Sequence, residues 1–127
     1  MAVLVDTSLW VHQLRCRGDA TQRTRVEALL LQGDAAWCPV VRLELWRGIG
    51  NAHERRTLER YRQVLPDYAI TDAVWERAIT LADRARRAGA TVPLPDLLIF
   101  CCARQHRLGL AHDDAHFEQL ARLDPAT

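Results

Sequence analysis

Apolar residues fall along the chain in two alternating patterns: short unbroken runs, and longer stretches repeating every three to four positions. Met1 to Val5 is an unbroken run closed by Asp6, as in a strand buried on both faces. Ala35 to Cys38, Tyr68 to Ile70 and Leu108 to Ala111 repeat this short form. Between the runs the period lengthens to that of helices. Thr7 and Ser8 supply N-cap chemistry for a helix reaching about Arg15. Thr21 opens a second, with Val26, Leu29 and Leu30 on one face and Gly33 as its stop. Pro39 begins a third through VVRLELWRGI, with Val40 and Leu43 among its apolar positions and Glu44 on it. His53 to Leu65 carries Leu58, Tyr61 and Leu65 as a stripe. Asp72 to Ala88 sets Trp75, Ile79, Ala82 and Ala85 against a charged face and ends at Gly89. Pro93 and Pro95 hold an extended approach to a helix starting at Asp96, which is apolar on all sides from Leu97 to Ala103 and therefore central. A last helix holds Phe117 and Leu120.

Alternation of this kind predicts an α/β domain with a mostly parallel sheet and helices on both faces, and functional groups beyond the carboxyl ends of the strands. No linker or repeat divides the chain, and 127 residues suit one domain spanning residues 1–127. The N-terminus lacks a basic leader region, and no run approaches the ~18 apolar residues of a membrane span, so a cytoplasmic protein without membrane contact is expected. Cys16, Cys38, Cys101 and Cys102 lack zinc-site spacing and read as reduced, mostly buried thiols. All 17 basic residues are arginine, so any side-chain phosphate contact must be a guanidinium fork. A net charge of +1 excludes a globally basic nucleic-acid binder but not a local basic rim.

Candidate chemistry lies in four acids: Asp6 in AVLVDTSLW, Glu44 in VVRLELWRG, Asp96 in VPLPDLLIF and Asp114 in LAHDDAHF. Each closes a strand, or opens or lines a helix, and the fold class gathers such positions at one end of the sheet. Converging carboxylates repel strongly at short range, which points to a divalent cation bound among them. Taken singly, Asp6 reads as a turn residue, Asp96 as a helix-capping acid and Glu44 as a solvated helix position. Only the constellation reverses those readings. One or two Mg²⁺ ions, or Mn²⁺, held by carboxylates would activate water and stabilise the charge of phosphodiester hydrolysis. On that chemistry Asp6 and Asp96 are the principal ligands, Asp114 a second-metal or water-mediated ligand, and Glu44 a water-mediated ligand or general-base helper. His112 and His116 stand four apart around Asp113 and Asp114, and supporting or substrate-facing roles are favoured for them over direct ligation. Arg47 and Arg42, close to Glu44, are the arginines best placed for substrate.

The segments VLVDTSLWV, VVRLELWRG and PDLLIFCCARQHRLGLAHDDAHF together resemble the PIN-domain family of ribonucleases and, at this length, its VapC-type toxins. The resemblance implies a three-layer α/β/α fold with a mostly parallel central sheet of four to five strands. It places the family's four acids on Asp6, Glu44, Asp96 and Asp114, and its following hydroxyl on Thr7 or Ser8. It further implies an RNA substrate cut to 5′-phosphate and 3′-hydroxyl ends, a cognate antitoxin protein, and a homodimer. The antitoxin would occupy an apolar groove near Trp10 and Trp46. Trp37 and Trp75 fit core positions. The last motif departs from the family: His112 stands where a hydroxyl residue is common and His116 where a further acid is frequent.

Competing classes are a phospho-acceptor receiver domain and a catalytically silent PIN-like interaction module. The first needs a lysine, and the chain has none. The second usually loses acids, and all four are present. Neither a dinucleotide fingerprint nor a phosphate-loop motif occurs.

Overall fold

The computed structural model describes residues 1–15 and 18–125. Cys16, and with it the expectation of a buried thiol there, lies outside the described residues. Within these residues three short strands, β1 (Val3–Val5), β2 (Ala35–Ala36) and β3 (Gly109–Ala111), form a parallel sheet in the order β2-β1-β3. Among the described residues, seven helices accompany them: α1 (Thr7–Arg15), α2 (Ala20–Gln32), α3 (Pro39–Arg47), α4 (Ala52–Val64), α5 (Asp72–Arg87), α6 (Leu94–Gln105) and α7 (Ala115–Leu123). α1 packs on α2, α5 packs on α6 and α7, and α3 touches both α1 and α6.

β1 is central because it is the most continuously apolar run, and Leu4 and Val5 are wholly buried. Its neighbours leave it in opposite directions along the sheet, so its carboxyl end is the topological switch point, where open α/β sheets form their binding crevices. Asp6 is the residue that ends it.

The expected fold class is the observed one, with fewer strands. Tyr68 to Ile70 forms no strand; parallel pairing survives there only as a bridge between Trp37 and Asp67, with Trp37 N–H on the Pro66 carbonyl at 3.1 Å and Tyr68 N–H on the Trp37 carbonyl at 3.0 Å. Pro66 has no N–H to extend the ladder, and Thr71 already caps α5, so no length remains for a strand.

Helix boundaries also shift where a better cap competes. Asp19 rather than Thr21 caps α2, accepting from the N–H groups of Thr21 and Gln22, and Gly33 ends the helix in the left-handed region at φ 74°. Thr7 and Ser8 lie inside α1, whose start is capped by Asp6 through Ser8 N–H at 3.2 Å. α6 begins at Leu94, not at Asp96, because Pro95 sits comfortably in a first turn. α5 buries Val74, Ala78, Leu81 and Ala85: Ala85 is on the buried face as expected, but the rest of that face lies one position before Trp75, Ile79 and Ala82, with Trp75 49% exposed and Ile79 63%. On α3, Val41 and Leu45 are buried while Leu43 is exposed.

The core joins the sheet to α6, with Ile99, Phe100, Cys101 and Cys102 buried among Leu4, Val41 and Phe117. Cys38, Cys101 and Cys102 are buried free thiols, as expected, and burial pushes the Cys101 thiol up to about 12. Trp10, Trp37 and Tyr61 form an aromatic cluster with ring centroids 5.4 to 6.5 Å apart. Near the last helix, buried Asp124 receives Arg77 at 3.4 Å and Arg104 at 3.6 Å, tying α5, α6 and the end of α7 together. Among the described residues, no helix is long and apolar enough to cross a membrane.

Candidate metal centre

Strand pairing sets the first coordinate of the site. Asp6 N–H donates to the Ala111 carbonyl at 2.9 Å, which brings the end of β1 against the end of β3 and the loop His112 to Asp114. The Asp6 side chain is buried, and its Oδ2 accepts from Ser8 Oγ at 2.6 Å as well as from Ser8 N–H. The hydroxyl after the first acid therefore orients that acid. Thr7 does the same across the helix pair: its Oγ1 donates to Glu44 Oε1 at 2.7 Å and ties α1 to α3.

Asp114 is the N-cap of α7 and accepts from His116 N–H at 2.9 Å. Its own N–H donates to His112 Nδ1 at 3.3 Å, while the His112 ring packs on Phe117 with centroids 4.9 Å apart. His112 is thereby committed to shaping the loop. Asp96 occupies the first turn of α6, and its Oδ2 lies 3.1 Å from His116 Nδ1, which is also 3.0 Å from Asp114 Oδ1. Asp96, Asp114 and His116 each offer one ligand atom within 4.8 Å of the others.

Asp96 shows what this convergence does. Its carboxyl is raised to about 6, first by burial and then by the charges of Asp6 and Asp114, with His116 acting the other way. A helix N-terminus stabilises an anion by about 0.3–1 kcal/mol. A rise of that size corresponds to roughly 2–3 kcal/mol, so desolvation and repulsion win. The donor set fits a small divalent cation: clustered carboxylate oxygens, one of them electrostatically strained, with an imidazole between.

The structure thus brings Asp6, Asp96 and Asp114 into electrostatic contact and makes Asp96, Asp114 and His116 the tight group. Glu44 joins through Thr7, outside that group. His116, read from sequence as a supporting residue, stands among the ligand atoms. Arg47 is exposed at the end of α3. Arg42, expected near substrate, instead pairs with Asp67 and lies 5.9 Å over the Trp37 ring. Trp10 lines no groove, because it is wholly buried; Trp46 is half-buried, with Arg55 5.6 Å over its ring. Asp113 is exposed and 4.0 Å from His12 Nε2.

One acid escaped the sequence reading. Glu54 is buried at the start of α4, accepting from Gly50 N–H and Asn51 Nδ2, and it lines a small cavity with Glu44, Arg15 and Leu58. The signal was present as the capping spacing of Asn51 and Glu54.

A profile of the PIN domain matches residues 3–123. Ribonuclease VapC11 of Mycobacterium tuberculosis strain H37Rv is 36% identical over 125 residues, covering 95% of this chain and 92% of that protein. Among solved structures, VapBC2 from Rickettsia felis, bound to a DNA fragment from its promoter, superposes with a TM-score of 0.79 at 18% identity over 99% of this chain and 95% of the other. A toxin–antitoxin complex from Klebsiella pneumoniae gives a TM-score of 0.71 at 20% identity over 90% and 88%. At these identities the two structures speak for the fold alone.

The raised Asp96 carboxyl gives a signed pH dependence for the metal-free protein. The folded state binds this proton more tightly than the unfolded chain does. Stability from this group is therefore full below about pH 4, falls as pH rises from about 4 through about 6, and is flat above. Asp96→Asn should remove that fall, leaving the variant in EDTA as stable at pH 7 as wild type, or more so. Melting curves of both proteins across this range check it. A variant melting well below wild type at pH 7 would make Asp96 a structural cap.

Proposed function

The chain belongs to the PIN domain family and is of the VapC type, and from that premise we propose that it is a divalent-metal-dependent endoribonuclease acting as the toxin of a toxin–antitoxin pair. The observation that carries this reading is the convergence of Asp6, Asp96 and Asp114 beyond the carboxyl end of the sheet, with the Asp96 carboxyl held above its ordinary range first by burial and then by the charges of the other two. A structural role asks for nothing of that kind, since uncompensated like charges only destabilise.

Mg²⁺ or Mn²⁺, when bound, would neutralise these charges, polarise the scissile phosphodiester and activate water. Asp96 and Asp114 would hold the ion, and Asp6, fixed by Ser8, would complete the acidic wall beside them. Glu44 takes its orientation from Thr7 and would hold an attacking water or receive its proton. Arg47, exposed at the end of the same helix, would grip the RNA backbone from the rim. The products expected from this chemistry carry 5′-phosphate and 3′-hydroxyl ends.

Two partners accompany the reading: a cognate antitoxin and a second copy of the chain, both in the cytoplasm. With Trp10 buried, the antitoxin surface reduces to half-buried Trp46 and exposed Leu43 along α3, beside Glu44. Exposed Trp75 and Ile79, one turn apart on α5, support self-association. Ile79→Arg should shift sedimentation from dimer to monomer, and wild type sedimenting only as monomer at high concentration would refute the dimer. For the antitoxin, a co-purified complex that cuts RNA as fast as the free chain would contradict inhibition at this surface.

The catalytic assignment is tested on defined RNA fragments with mapped ends. Asp6→Asn and Asp96→Asn should abolish cleavage, as should EDTA, whereas Glu44→Gln should leave residual activity that excess Mn²⁺ partly restores. Loss of one general-base contribution is worth roughly 10²–10⁴-fold. Undiminished cleavage by Asp6→Asn would sink the assignment. Absence of wild-type cleavage with either ion would favour the interaction-module alternative.

A further inference from the structure

His116 occupies the one place in the acidic site where a nitrogen faces two carboxylates at once. Its Nδ1 is 3.0 Å from Asp114 Oδ1 and 3.1 Å from Asp96 Oδ2. Two neighbouring ligands at right angles about an ion, each about 2.1 Å from it, stand about 3.0 Å apart. The spacing seen in this structure is thus also the spacing of adjacent corners of an octahedral ion.

The placement is rigid. His116 N–H donates to Asp114 Oδ1 at 2.9 Å, which fixes the ring at the second position of α7 beside its own capping acid. The ring is 38% exposed, so an ion arriving from solvent reaches it directly, whereas His112 is occupied by the Asp114 N–H and by Phe117.

We propose that His116 is a direct ligand, with Asp96 and Asp114, of the ion held at this site, and that its nitrogen makes the site select Mn²⁺ over Mg²⁺. The inference rests on the metal-dependent reading above. Mg²⁺ is a hard ion that keeps its waters and takes oxygen ligands, whereas imidazole suits divalent transition ions. An all-carboxylate site leaves the choice to ion abundance. Exchanging one oxygen for an imidazole nitrogen removes that neutrality. The competing structural role is that of an internal cation, an imidazolium bridging Asp96 and Asp114 in place of a metal.

The test uses the purified full chain freed of metal. Calorimetric titration with Mn²⁺ and with Mg²⁺ should give wild-type affinity for Mn²⁺ higher by about tenfold or more. Electron spin echo modulation of the Mn²⁺-loaded protein should show coupling to an imidazole ¹⁴N. His116→Asp restores an all-oxygen set and suits the start of α7. It should lose the ¹⁴N coupling and bring the two affinities together, with Mg²⁺ binding kept or strengthened. If that variant misfolds, His116→Gln serves the same two readouts. A wild-type Mn²⁺ site without ¹⁴N coupling, or a Mn²⁺ to Mg²⁺ ratio unchanged in the variant, would overturn the assignment of His116 while leaving a metal site that Asp96→Asn abolishes. Failure of wild type to bind either ion would instead overturn the metal-dependent reading itself.

Discussion

Repulsion among carboxylates at the end of one strand is the constraint to which the other parts of this site answer. Two unit charges about 4 Å apart near a protein surface cost about 4 kcal/mol, comparable to a large share of a domain's net stability. β1 must be central for Asp6 to reach the switch point, and Asp6 N–H must pair with Ala111 for the β3 loop to bring Asp114 alongside. The first turn of α6 then delivers Asp96 to the same acidic group. Each acid receives a local answer to this load: Ser8 on Asp6, Thr7 on Glu44, and His116 between Asp96 and Asp114. Asp96 still retains its proton to about pH 6, so these answers are partial.

Arginine could have completed the compensation, and the fold sends it elsewhere. Arg42 goes to Asp67, Arg77 and Arg104 to Asp124, and Arg55 to Glu59. Among the described residues, the ion pairs of the four acids involve only His116. A pocket kept acidic while basic groups are spent around it suits an ion that comes and goes.

How legible this was in the sequence depended on whether a residue's role is local. Asp6 after an apolar run, Pro39 in a first turn and Gly33 after α2 follow from rules acting over a few residues, and they stand where expected. The α5 face was not legible, because Trp75, Ile79 and Ala82 are as apolar as Val74, Ala78 and Leu81, and only contact with α6 and α7 chooses between the sets. Trp10 was misplaced for a related reason: its nearness to Asp6 in sequence says nothing about the Trp37 and Tyr61 rings that enclose it. His116 shows the limit most clearly. Its spacing from His112 drew attention to the pair, but the two rings point to different tasks, and only the turn of α7 assigns one to the loop and the other to Asp96.

The proposed metal-dependent function makes one spatial claim, that a cation would sit where Asp96 Oδ2, Asp114 Oδ1 and His116 Nδ1 converge. Anomalous diffraction from crystals soaked in Mn²⁺ reads it directly. A single strong peak within bonding distance of all three atoms, at about 2.0–2.3 Å, is the result expected. Crystals that take up Mn²⁺ only at other surfaces, with the His116 ring still bonded to both carboxylates, would contradict it.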